Sequence, residues 1–75
     1  MLNSNMNVTQ VFAENIKRLR REQGISQEAL ADKAGLHRTY VGAVERGERN
    51  ITLLNANRIA EALVVKLSDC LKEGK

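Results

Sequence analysis

The stretch Ser26-Gln-Glu-Ala-Leu-Ala-Asp-Lys-Ala-Gly35-Leu-His-Arg-Thr-Tyr-Val-Gly-Ala-Val-Glu45-Arg-Gly47 decides the fold. It reads as two short helices joined by a tight turn. Ser26 supplies a capping hydroxyl, and Glu28 sits in the first turn, facing the positive end of the helix dipole. Ala29, Leu30 and Ala34 form the apolar face of this first member, with Leu36 following. Gly35 breaks it, because glycine has the backbone freedom that a tight turn needs. Tyr40, Val41 and Val44 form the stripe of the second member, which Gly47 closes. Ala31 is small enough to let the two helices approach closely at their crossing. Polar side chains, His37, Arg38 and Thr39, remain at the start of the second helix.

Outward from this unit the chain stays helical. Val8, Phe12, Ile16 and Leu19 recur at helical spacing upstream. Asn7 with Gln10 has the spacing of a capping box, Thr9 competes as the cap, and Gly24 ends this helix. Downstream, Thr52 can cap a helix carrying Leu53, Ala56, Ile59, Ala60 and Leu63. Ser68 can cap a short last one flanked by Leu67 and Leu71. Residues 1–6 read as a loose tail. The expectation is one all-α domain of five helices over residues 1–75, without strand, repeat or linker.

Composition narrows the function classes. Seventy-five residues make one small domain with a thin core, for which self-association is a natural supplement. The single cysteine and single histidine exclude an internal disulfide and a Cys- or His-rich metal cluster. No run of about 18 apolar residues is present, and the N-terminal segment lacks a signal-peptide pattern, so the cytoplasm is expected and no membrane partner. There is no nucleophile–base pair and no phosphate-gripping glycine loop, so neither enzymatic activity nor a cofactor is expected. Residues 15–60 carry a net +4 and residues 61–75 carry none, so an anion-binding face belongs on the first four helices. Lys17, Arg18 and Arg21 read as an ordinary solvated helix face.

The helix, glycine turn and second helix of residues 26–47 form a helix-turn-helix, whose second member enters the DNA major groove by its N-terminal residues. Gln27, Leu30, Ala31, Gly35, Val41, Glu45, Arg46 and Gly47 resemble the pattern of Xre-type regulators, relatives of phage repressor and Cro. HRTYVGAVERGERN at 37–50, followed by ITLLN, resembles the controller proteins of restriction–modification systems.

That resemblance implies a repressor-like fold, double-stranded DNA as partner, a homodimer and autoregulated transcription. Arg38, Thr39, Tyr40 and Ala43 would face bases, Arg38 through a two-point bond to guanine. Gln27, His37, Arg46, Arg49, Asn50 and Arg20 would face phosphates. Arg20 would also pair with Glu45, a structural residue alongside Gly35 and Ala31. Gly42 stands where the controllers often have serine, and the gap reads either as room for a close approach of DNA, the preferred reading, or as a tolerated defect. Residues 52–73 would hold the dimerisation helices, with Ile51, Leu53, Leu54, Leu67, Cys70 and Leu71 as candidate interface residues. Glu45 and Glu48 are candidates for touching RNA polymerase. No small-molecule ligand is expected. A phage-type repressor or an antitoxin is the alternative within DNA binding, and a protein-interaction adaptor the alternative outside it.

Overall fold

The computed structural model describes residues 7–73, so the expected tail over residues 1–6 lies outside the described residues. Four α-helices follow one another: α1 (Val8–Glu22), α2 (Gln27–Ala34), α3 (Arg38–Glu45) and α4 (Leu53–Ala62). The expected fifth helix is instead a 3₁₀ segment, Leu67–Leu71. Five residues are too few to offset the nucleation cost of an α-helix, whereas 3₁₀ geometry is the one used in short pieces. Its cap is also reassigned. The Asp69 carboxylate accepts from the Lys66 backbone N–H at 3.2 Å, and that bond together with Lys72 holds its pKa below the ordinary range. Ser68 lies inside the segment rather than before it.

Short polar side chains start the other helices. Asn7, not Thr9, caps α1, its Oδ1 accepting from the Gln10 N–H at 2.8 Å. Ser26 accepts from the Ala29 N–H and Thr52 from the Asn55 N–H, both at 3.0 Å. Gly35 takes φ +72 after α2, and the Leu36 N–H returns to the Ala31 carbonyl at 2.9 Å. This left-handed turn reverses the chain within three residues and brings α3 across α2. Ala31 is buried in the core that α2 and α3 share.

The core is built from Phe12 and Ile16 of α1, Leu30 of α2, Val41 and Val44 of α3, and Ile59 with Leu63 at α4. The 3₁₀ segment packs on α1 and brings Cys70 into the same cluster. Val8 departs from its expected inward face and is half exposed, while Val11 and Ala13 are buried.

Asn15 is a buried polar residue on α1. Its Nδ2 donates to the carbonyls of Cys70 and Lys72, each at 2.8 Å, and its Oδ1 accepts from Arg18 at 3.3 Å. This amide fastens the C-terminal segment to the first helix and satisfies carbonyls that a 3₁₀ end leaves open.

Val64 ends α4 in a conformation that β-branched residues rarely adopt, φ +60. The Val65 N–H bonds to the Ala60 carbonyl at 3.0 Å, the pattern of a left-handed helix cap. The side chain is 86% exposed, so no packing returns the strain. Val64→Asn should therefore stabilise the fold by about 1 kcal/mol, since left-handed backbone costs most residues roughly 1–2 kcal/mol and asparagine less. Thermal unfolding would register this as a rise of about 4–8 °C.

Candidate nucleic-acid interface

The N-terminal end of α3 is a polar surface set on an apolar seat. Val41 and Val44 anchor the helix in the core, which leaves the opposite side of its first turn outward. His37 is the extended residue before α3, exposed, with no capping bond from its side chain. Arg38 and Thr39 are exposed, whereas Tyr40 and Ala43 are half-buried. The four residues expected to face bases thus share one helix, with Arg38 and Thr39 standing furthest out.

Tyr40 is held from two sides. The Arg49 guanidinium lies 5.1 Å from the ring centroid, in cation–π contact, and Asn55 Nδ2 donates to the phenolic oxygen at 3.3 Å. Asn55 closes the ITLLN run, which says nothing of this contact. Its partner lies on another helix, so only the fold reveals it.

The opposite end of α3 is locked to the scaffold. Arg20 Nε donates to Glu45 Oε2 at 2.6 Å and Nη2 donates to Oε1 at 3.0 Å, while Nη1 donates to the Ile25 carbonyl at 2.9 Å. The Arg20 side chain is 12% exposed and that of Glu45 is 1% exposed. The hydrogen bond to Glu45 raises the Arg20 pKa above its ordinary value. Gln27, the first residue of α2, joins the lock by donating from Nε2 to Glu45 Oε1 at 3.0 Å. The expected pairing of Arg20 with Glu45 is therefore present. Three of the five guanidinium N–H groups of Arg20 are engaged within the protein, which leaves one on Nη1 and one on Nη2 for the expected phosphate contact.

Gly42 is explained by the same lock. A Cβ built on it would stand 3.3 Å from Gln27 Oε1 and from Arg46 Nη1. The space that was expected to admit DNA is filled by these two side chains. A Cβ here would press each of these side-chain ends back by a few tenths of an ångström, which glycine spares them.

Beyond α3, Arg46, Arg49 and Asn50 are exposed. Arg46 Nε pairs with Glu48 at 3.0 Å, both well solvated, and Asn50 Oδ1 accepts from the Thr9 hydroxyl at 3.3 Å. Of the two carboxylates expected to meet RNA polymerase, Glu45 is enclosed by Arg20 and Gln27, and only Glu48 is at the surface.

The candidate pairing residues divide. Leu53 and Leu54 are 78% and 62% exposed. Ile51, Leu67 and Leu71 are half-buried and, with Val8 and Leu53, rim an apolar groove whose floor includes Phe12. Cys70 is wholly inside the core, and burial pushes its thiol pKa up to about 11. A residue with no exposed surface in the single chain offers nothing to a partner, so Cys70 belongs to the core.

The helix-turn-helix family HTH_3 matches residues 16–70. The chain belongs to this Xre-like helix-turn-helix family. Among its relatives, the control protein C.SmaI of Serratia marcescens is 48% identical over 58 residues, spanning 77% of this chain and 69% of that protein. The control protein C.BamHI of Bacillus amyloliquefaciens is 39% identical over 66 residues, spanning 87% and 82%. The crystal structure of the restriction–modification controller C.AhdI from Aeromonas hydrophila superposes with a TM-score of 0.80 at 42% identity, covering 83% of this chain and 94% of that one. The matched span contains both α2 and α3. The family is one of DNA-binding regulators rather than enzymes. Among the described residues no helix is long and apolar enough to cross a membrane.

Proposed function

We propose that this protein is a dimeric, sequence-specific DNA-binding regulator of the restriction–modification controller kind, acting on an operator beside its own gene. The observation that carries the reading is the two-ended arrangement of α3. Its N-terminal turn presents Arg38 and Thr39 to solvent, while Glu45 at its other end is bonded to Arg20 and Gln27. A helix held this way can carry base-reading side chains into the major groove without first being ordered.

Arg38 reads a guanine edge in this account, Thr39 and Tyr40 read neighbouring positions, and Ala43 offers apolar contact to a thymine methyl. His37, Arg46, Arg49, Asn50 and the N-terminal backbone of α2 at Gln27 face phosphates, which fix register without reading sequence. Arg46→Ala should weaken binding to operator and scrambled duplexes alike and flatten the plot of log affinity against log salt by about two units, one for each protomer. Anisotropy titrations at several salt concentrations measure both. A loss confined to the operator duplex would contradict the phosphate role.

The partner surface proposed for the dimer comprises Leu53 and Leu54 with the groove beside Val8, Ile51, Leu67 and Leu71. Two recognition helices would then stand about one DNA turn apart, roughly 34 Å, and read a near-palindrome. Leu53→Glu with Leu54→Glu should yield a folded monomer in sedimentation equilibrium at about 50 μM, because burying two carboxylates at an apolar interface is costly. A dimer that survives both changes would place the interface elsewhere. The relatives named as control proteins support the controller reading, self-regulation is part of the proposal, and Glu48 is the surface carboxylate available to RNA polymerase.

A further inference from the structure

Tyr40 is the third residue of α3, and its hydroxyl has a defined hydrogen-bond polarity. Asn55 Nδ2 donates to Tyr40 Oη at 3.3 Å, so the phenolic oxygen acts as the acceptor. A phenol both accepts and donates, and the contact with Asn55 takes only the first capacity. Among the described residues no acceptor takes the phenolic proton. The Asn55 backbone is anchored beneath that contact, because its N–H donates to the Thr52 cap at 3.0 Å in the first turn of α4. The Arg49 guanidinium over the ring limits rotation from the other side. A half-buried side chain next to exposed Arg38 and Thr39 is thus set with one polar group left to offer, an O–H.

We propose that Asn55 is a specificity-positioning residue: it holds Tyr40 as a hydrogen-bond donor toward a base-edge acceptor in the major groove. The acceptors available there are purine N7, guanine O6 and thymine O4, whereas the amino groups of cytosine and adenine present donors and are disfavoured. Asn55 touches no base in this account. It acts through Tyr40, from a helix outside the helix-turn-helix. The inference rests on the DNA-binding reading above.

The test uses two labelled duplexes: one selected by the wild-type protein from a random-sequence library, and one scrambled from it at equal composition. The readout is the ratio of the two affinities at fixed salt. Tyr40→Phe should lower this ratio about 10-fold and Asn55→Ala about 3-fold, the range of one hydrogen bond lost or misdirected. The double variant should match Tyr40→Phe within about 2-fold, because Asn55 has no role once the hydroxyl is gone. Asn55→Asp keeps the side-chain shape but can only accept, so it draws the phenolic proton inward. Its ratio should fall at least as far as that of Asn55→Ala, and the general repulsion of its charge cancels between the duplexes. Additive effects in the double variant would overturn the proposal. So would equal weakening on both duplexes, which would mean a phosphate contact or a scaffold role for Tyr40. Failure of the wild-type protein to select any sequence would instead overturn the DNA-binding reading itself.

Discussion

Glu45→Ala is expected to destabilise the domain by about 3–5 kcal/mol, the usual cost of removing one member of a buried ion pair. The substitution would leave the Arg20 guanidinium, only 12% exposed, with the Ile25 carbonyl as its remaining acceptor. The Gln27 amide would lose its acceptor at the same time. For a chain of this length each kcal/mol lowers the melting temperature by about 4–8 °C, so the fall should be roughly 12–40 °C. Total stability of small domains is about 5–15 kcal/mol, so the variant stands close to unfolding. Arg20→Met combined with Glu45→Leu should recover most of that loss, because an apolar pair avoids the desolvation that the ion pair incurs. The recovered protein should still bind DNA poorly, since Gln27 and the C-terminal end of α3 lose their polar anchor. Calorimetric melting of the three proteins measures the first two statements and operator titration the third. A double variant as unstable as Glu45→Ala would mean that the pair supplies net stability of its own.

Arg38→Ala should leave stability unchanged, because the side chain is exposed and outside the core. Its effect falls on recognition. A bidentate arginine–guanine contact contributes about 1–3 kcal/mol of discrimination, so a dimer presenting it twice would lose about 2–6 kcal/mol, between roughly 30-fold and 10⁴-fold in operator affinity. Binding to a scrambled duplex should fall much less, by the loss of one cation per protomer. Equal losses on the two duplexes would reassign Arg38 to the phosphates.

Most of what positions the interface is legible in local sequence. Asn7, Ser26 and Thr52 announce their helices because a capping bond spans three residues. Gly35 announces the turn because only a left-handed residue closes it so tightly. What is hidden depends on contacts distant in sequence. Asn15 looks like a polar interruption of an apolar face until Cys70 and Lys72 are brought back to it. Cys70 resembles its half-buried leucine neighbours until the 3₁₀ segment turns it inward. Gly42 suggests a gap open to DNA, yet the side chains of Gln27 and Arg46 fill that space. Asn55 closes the ITLLN run, yet nothing local announces its contact, because the partner is a tyrosine fifteen residues earlier. The charge pattern, by contrast, holds in three dimensions. Arg38, Arg46 and Arg49 of the basic segment are exposed at the two ends of α3.

The central claim is that the N-terminal turn of α3, carried by a dimer, reads an operator. Hydroxyl-radical footprinting on the DNA immediately upstream of the protein's own gene tests it most directly. Two symmetry-related protected segments are expected, centred about one helical turn apart, roughly 34 Å, at concentrations that leave unrelated DNA unprotected. Protection that is absent, or that spreads evenly along the fragment with no preferred site, would contradict it.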